Sequence, residues 1–161
     1  MNVSRLAAPL AGFVLFATPA FALEVSTETE VAAAPQKVWS TIGGFCAIAE
    51  WHPAVASCEE REVDGAPHRI LSLEGGGTIE EALVSRDDTG MTYTYRIVES
   101  PLPVANYEST IAVSGEGDTS MLSWEGTFDA AEGASDEDAI GAITGIYESG
   151  LAAISERATG M

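Results

Sequence analysis

Positive charge is scarce in this chain: seven Lys and Arg stand against 25 Asp and Glu, a formal net charge of −18 at pH 7. Such a surface repels phosphate backbones and anionic headgroups, which excludes nucleic acid and acidic membranes as partners and leaves a basic protein compatible. Cysteine is limited to Cys46 and Cys58, and histidine to His52 and His68. Two cysteines do not close a structural zinc site. The histidines lack the paired spacing of a metal motif, so no metal and no other cofactor is expected. There is no G-x-S-x-G word and no legible Cys-His pairing, so no catalytic residue is assigned. No internal repeat or low-complexity tract is present.

Long hydrophobic runs are missing too. The longest, Leu6–Phe16, is too short to span a bilayer. It follows a single cation, Arg5, and precedes Pro19 and the small residues Ala20 and Ala22. That is the layout of a secretory signal with an A-x-A cleavage site. The expectation is cleavage after Ala22 and a periplasmic or secreted mature chain, Leu23–Met161, with no membrane span. Residues 1–22 are thus a signal peptide and 23–161 one domain, long enough for a core. In an exported protein Cys46 and Cys58 are most simply a disulfide, two buried free thiols being the alternative.

What is present is a run of short strand signals. LEVSTETEV (23–31) alternates apolar and polar positions, as a half-buried strand does. Pro35 opens a helix that puts Val38, Trp39 and Ile42 on one side, and Gly43-Gly44 interrupts it. FCAIAEW (45–51) reads as a second short helix, ended before Pro53. AVASCEEREV (54–63) is a strand with a hairpin signal at Asp64-Gly65. Strands follow at His68–Glu74, Thr78–Ser85, Met91–Glu99, Tyr107–Val113 and Met121–Phe128, with Gly- and Pro-rich turns between them. From Ser135, an N-cap with Asp138 three residues on, the pattern becomes helical. Ile140, Ile143, Tyr147, Gly150, Leu151 and Ile154 share one stripe.

One strand, two short helices, six strands and one long helix make an α+β architecture. A bent antiparallel sheet gripping an amphipathic helix leaves a hollow between them where a ligand can sit. Several words carry a family resemblance: PQKVWSTIGGF (35–45), WHPAVASC (51–58), GGTIEEALVSRDD (76–88) and VANYES (104–109). On these the chain resembles the helix-grip superfamily (START/Bet v 1-like, SRPBCC) of pollen allergens, lipid-transfer domains and polyketide cyclases/dehydrases. In motif order it is similar to the plant abscisic-acid receptors. Its W-H-P word and export signal look closest to the bacterial exported methanol-oxidation accessory (MxaD-like) proteins. The resemblance implies a helix-grip fold with a curved seven-stranded sheet around the C-terminal helix, and a ligand cavity.

The resemblance also carries positions across. His52 falls where the receptors place a lysine that meets the ligand carboxylate, and Glu81 where they place a water-binding glutamate. Tyr95 and Ile97 match cavity-lining positions, and Tyr107 and Ser109 a polar water network. The turn GGG (75–77) stands in the place of the receptors' gate and SPLPVA (100–105), with Val104, in that of their latch. The gate's Leu-Pro and the latch's His-Arg pair are missing, so hormone sensing is not implied. The same alignment turns Glu125 inward.

Strand parity reads the positions independently. Met91, Tyr93, Tyr95 and Ile97 share the apolar face of their strand, as Ile79, Glu81 and Leu83 do of theirs. Arg69 has the inward parity of Leu71 and Leu73, which predicts that Arg69 and Glu81 meet across the sheet; a one-residue slip would turn both to solvent. Tyr107, Ser109 and Ile111 form the next inward set. Leu122, Trp124 and Phe128 form another, which puts Glu125 outside. Trp51 is expected over the rim of the core, and His52 to be the more exposed of the two, at the cavity mouth. Tyr147 and Leu151 approach from the helix. The expected ligand-binding set is therefore His52, Arg69, Ile79, Glu81, Tyr93, Tyr95, Ile97, Val104, Tyr107, Ser109, Trp124, Tyr147 and Leu151. The expected function is binding of a small apolar, oxygen-bearing ligand. The alternatives are a cyclase or dehydratase using His52, Glu81 and Arg69, or an accessory protein docking its acidic surface on a basic cytochrome or dehydrogenase.

Overall fold

A computed structural model describes residues 22–160. The expected signal segment, apart from Ala22, lies outside the described residues. The elements run β1 (Leu23–Val31), α1 (Pro35–Ile42), α2 (Ile48–Trp51), β2 (Val55–Val63), β3 (Ala66–Leu73), β4 (Thr78–Asp87), β5 (Thr92–Glu99), β6 (Val104–Ser114), β7 (Ser120–Ala130) and α3 (Asp136–Thr159). Every strand pairs antiparallel in one seven-stranded sheet of order β1-β7-β6-β5-β4-β3-β2. Successive strands are neighbours from β2 to β7, and β1 closes against β7. α3 packs mainly on β1, β7 and α1, which is the helix-grip arrangement.

Local chemistry explains the element ends. Asp64 and Gly65 both take positive φ, the requirement of a two-residue hairpin turn, so β2 folds straight back into β3. The Ser135 hydroxyl accepts the Asp138 N–H and donates to its carboxylate, capping α3 at a contribution of about 1 kcal/mol. Helix α2 is shorter than its pattern implied, because residues 45–47 form turns rather than helix. Ile140 is 38% exposed and leaves the expected inward stripe of α3; Ala139 and Ile143 take the buried places there.

The sheet's inner face carries Tyr93, Tyr95, Tyr107, Ile111, Val113, Leu122, Trp124 and Phe128, all buried. Ile143, Tyr147, Leu151 and Ile154 of α3 face them. Glu125 pairs opposite Thr110 and is exposed. Parity decided its direction, and the inward placement implied by the receptor resemblance is corrected. Glu24, Glu28, Glu30 and Glu108 are exposed as well, so the outer face of β1, β6 and β7 is acidic. A Cys46–Cys58 disulfide, Cα–Cα 5.5 Å, ties the turn before α2 to edge strand β2. Closing a loop this short contributes about 3 kcal/mol.

Two glycines are set by close approach. A Cβ on Gly126 would stand 2.2 Å from the Tyr147 hydroxyl. A Cβ on Gly150 would stand 2.6 Å from the Trp124 ring and 3.0 Å from the His52 ring. Bare backbone at these points lets α3 settle against β7 and α2.

Candidate functional site: a small hollow between sheet and helix

Register places Arg69 directly opposite Glu81. Both side chains point inward, so the slipped alternative is excluded. Arg69 is fully buried and Glu81 only 5% exposed. Arg69 Nε donates to Glu81 Oε2 at 2.5 Å, and Nη1 donates to the Phe45 carbonyl. The guanidinium also lies over the Phe45 ring at 4.1 Å and near the Tyr95 ring at 5.0 Å. Its Nη2 has no partner among the described residues. Burial is the largest influence on Arg69 and opposes its charge; the facing Glu81 works against it, and the guanidinium stays protonated. Burial likewise pushes the Glu81 carboxyl up, and Arg69 draws it back. At this contact distance to a permanent cation the pair is ionised.

A cavity of about 50 Å3, the space open to the centre of a water molecule, lies beside this pair and is partly open to solvent. Of the expected set, His52, Ile79, Glu81, Tyr95, Ile97, Tyr107 and Trp124 line it. Arg69, Tyr93, Val104, Ser109, Tyr147 and Leu151 are buried but do not line it. Arg69 is screened by Glu81, and Tyr93 packs between Phe45 and Trp39. Tyr147 stacks on Trp124, with ring centroids 4.7 Å apart, and hides Ser109 behind it. Further apolar lining lies outside the expected set: Leu73 and Ile143, read as inward but not as ligand-binding, with Leu102 in the SPLP loop and Ile146 of α3. Its signal was available, since Leu73 and Leu102 adjoin the two loops that the resemblance named as gate and latch. Those loops meet where Gly77 approaches Pro101.

The deep end is a chain of hydroxyls whose protons can be placed. Ser109 Oγ donates to the Glu125 carbonyl at 2.7 Å, and a carbonyl can only accept. Its contact with Tyr147 Oη at 2.7 Å therefore uses the tyrosine's proton. Tyr107 in turn must donate to Tyr147 at 2.6 Å, and Tyr95 to Tyr107 at 3.3 Å. Trp124 Nε1 donates to both Tyr95 and Ser109. Each proton in this chain is committed. Burial pushes all three phenols up, Tyr147 to about 12, so they stay neutral.

His52 is 4% exposed, as buried as Trp51; its expected greater exposure is corrected. Gly150 admits the ring against α3, and Trp124 packs edge-on to it. Nδ1 accepts the Ala54 N–H at 3.1 Å, and Nε2 stands 3.1 Å from the Ile146 carbonyl. Only the neutral ring protonated at Nε2 satisfies both contacts. Burial lowers the His52 pKa; the Ile146 contact opposes this and the Arg69 charge adds to it. Trp51 packs edge-on to Trp124 and donates to the Ile42 carbonyl.

Known proteins share this architecture. A solved structure of the protein XoxI from Bacillus cereus is 38% identical, with a TM-score of 0.76 over 84% of this chain and 95% of that one. An uncharacterised protein from Bacillus thuringiensis is 37% identical, with a TM-score of 0.77 over 85% of this chain and 99% of that one. The Zhui aromatase/cyclase from Streptomyces sp. R1128, at 17% identity and TM-score 0.69 over 86% and 94%, shares the fold. No curated protein gives a significant sequence match. Residues 22–159 match the family described as polyketide cyclase / dehydrase and lipid transport. The chain, with its helix-grip fold, belongs to that family.

Proposed function

We propose that this is an exported protein that binds a small, mostly apolar molecule in the hollow between its sheet and α3. One observation carries the reading: an open space beneath the sheet borders an inward carboxylate and is otherwise lined largely by apolar side chains. Cores do not leave such space without cost, and cavities of this composition take ligands. Family membership, with its cyclase/dehydrase and lipid-transport description, is compatible with either binding or turnover. Binding is favoured, because the acid–base candidates are already engaged: both His52 nitrogens are occupied and Glu81 is held by Arg69. Export rests on the N-terminal pattern and predicts a mature protein beginning at Leu23, read directly by intact mass.

Xenon, which is blind to polarity, tests the hollow itself. Methyl resonances of Ile79, Ile143 and Ile146 should shift under xenon pressure, and Ile143→Trp should abolish the response. Unmoved methyls would remove the binding reading.

The acidic outer face of β1, β6 and β7 favours a second role, docking on a basic exported protein. That association would weaken steeply between low and physiological salt. Binding to a basic cytochrome that is indifferent to salt would count against it.

A further inference from the structure

The hollow is unusual in what its polar groups offer. Around its wall every proton that could be donated is already given away. The hydroxyls of Tyr95 and Tyr107 donate along the chain that ends on the Glu125 carbonyl. Trp124 Nε1 serves Tyr95 and Ser109. The His52 Nε2 proton faces the Ile146 carbonyl, and Nδ1 is an acceptor already in use. The cation nearest the hollow, Arg69, is fully buried and is not part of the lining, so its unpartnered Nη2 is not presented to the hollow. What remains is acceptor capacity. Glu81 lines the cavity, and its Oε1 receives no donor among the described residues, while Oε2 is held by Arg69. The lone pairs of the Tyr95 and Tyr107 oxygens lie along the same wall.

From this we infer the chemical class of the ligand: a small neutral molecule with an apolar body and a hydrogen-bond-donating hydroxyl, which gives its proton to Glu81 Oε1. The inference rests on the binding reading above and narrows it. A carboxylate would bring a charge and two acceptors to a wall without donors, beside a glutamate. A ketone or aldehyde would leave its own oxygen and Glu81 Oε1 both unpartnered. An ammonium would add a positive charge where Arg69 already balances Glu81. His52, which lines the hollow, directs its Nε2 at the Ile146 carbonyl. The small volume calls for a small ligand.

Four probes of equal size separate these cases: 2-propanol, acetone, acetate and isopropylammonium. Each is titrated into isotope-labelled protein and followed by NMR at the Ile79 and Ile143 methyls, with xenon as the polarity-blind control. The expected result is that 2-propanol binds on the order of ten- to a hundred-fold more tightly than the other three, the scale of one hydrogen bond to a charged acceptor. The Arg69→Met/Glu81→Leu double variant, which replaces the pair with apolar groups, should retain xenon and lose the preference. If xenon enters but acetone, acetate or isopropylammonium binds as well as 2-propanol, the ligand class is wrong and the cavity reading survives. If xenon does not enter, both fall. A preference for 2-propanol that persists in the double variant would remove Glu81 from the account and overturn the inference.

Discussion

Arg69 and Arg86 are built alike and placed in opposite surroundings. Each guanidinium lies over two aromatic rings, Arg69 over Phe45 and Tyr95, and Arg86 over Trp39 and Tyr93. Each meets one carboxylate, at 2.5 Å for Glu81 and 2.7 Å for Asp88. The Arg69 pair is sealed inside the sheet, whereas Asp88 is 70% exposed and also takes a hydrogen bond from Trp39 Nε1. Water can take the place of the exposed Asp88 carboxylate, although Arg86 itself is only 21% exposed. Nothing replaces Glu81 for Arg69, so the same contact is a structural commitment in one place and an ornament of the surface in the other. A buried pair is rarely the most stable filling for a core. That this one borders an open hollow suits an electrostatic task there better than a stabilising one.

The contrast can be broken most forcefully at Glu81. Glu81→Leu leaves a buried, unpaired guanidinium and should destabilise by about 3–5 kcal/mol in chemical denaturation. Arg69→Met/Glu81→Leu removes both charges and should recover most or all of that loss. A double variant no more stable than the single one would show that the pair does more than neutralise itself.

A smaller effect separates the two regions by pH. The folded His52 pKa lies below its ordinary value, so the unfolded chain binds its proton first on acidification. Its stability contribution is full above the unfolded value of about 6.5 and is lost as pH falls below it. Asp88 is lowered as well, but within the carboxylate range, chiefly by the Arg86 hydrogen bond. Its contribution is full above the ordinary carboxylate value and is lost as pH falls from there through the lowered one. Melting temperatures of wild type and His52→Gln should therefore converge between pH 7.5 and 5.5, while wild type and Asp88→Asn keep a constant gap over that range. Parallel wild-type and His52→Gln curves would contradict the proposed ring state.

The least change is expected from Asp88→Asn at neutral pH. The exposed partner is lost and the Trp39 contact can persist through the amide oxygen, so the shift should be far smaller than for Glu81→Leu. A loss as large as that of Glu81→Leu would erase the distinction between the two sites.

Much of the fold was legible because its signals are local. The alternation in β1, β4 and β5, the Asp64-Gly65 turn and the Ser135 cap each depend on a few adjacent residues, and each is where the pattern puts it. The Arg69–Glu81 contact was legible from parity in two neighbouring strands. Less legible was what fills the centre. That Tyr147 would stack on Trp124 and cover Ser109 depends on Gly126 and Gly150 letting two elements approach, a fact distributed over distant parts of the chain. His52 was misread for the same reason: its neighbours in sequence are a helix end and a proline, while its partner Ile146 lies on α3.

The Cys46–Cys58 bond encloses Ile48, His52, Ala54 and Val55, which together form one bank of the hollow. That bank is therefore a small covalent ring, unable to spread far without breaking sulfur from sulfur. Whatever breathing admits a guest must come from the opposite shore, where the triple-glycine bend runs near the Ser-Pro-Leu-Pro crook, a Cβ on Gly77 having room for only ordinary contact with Pro101. Reduction would loosen the wrong side of the entrance, so a thiol-treated protein should lose shape selectivity before it loses its fold.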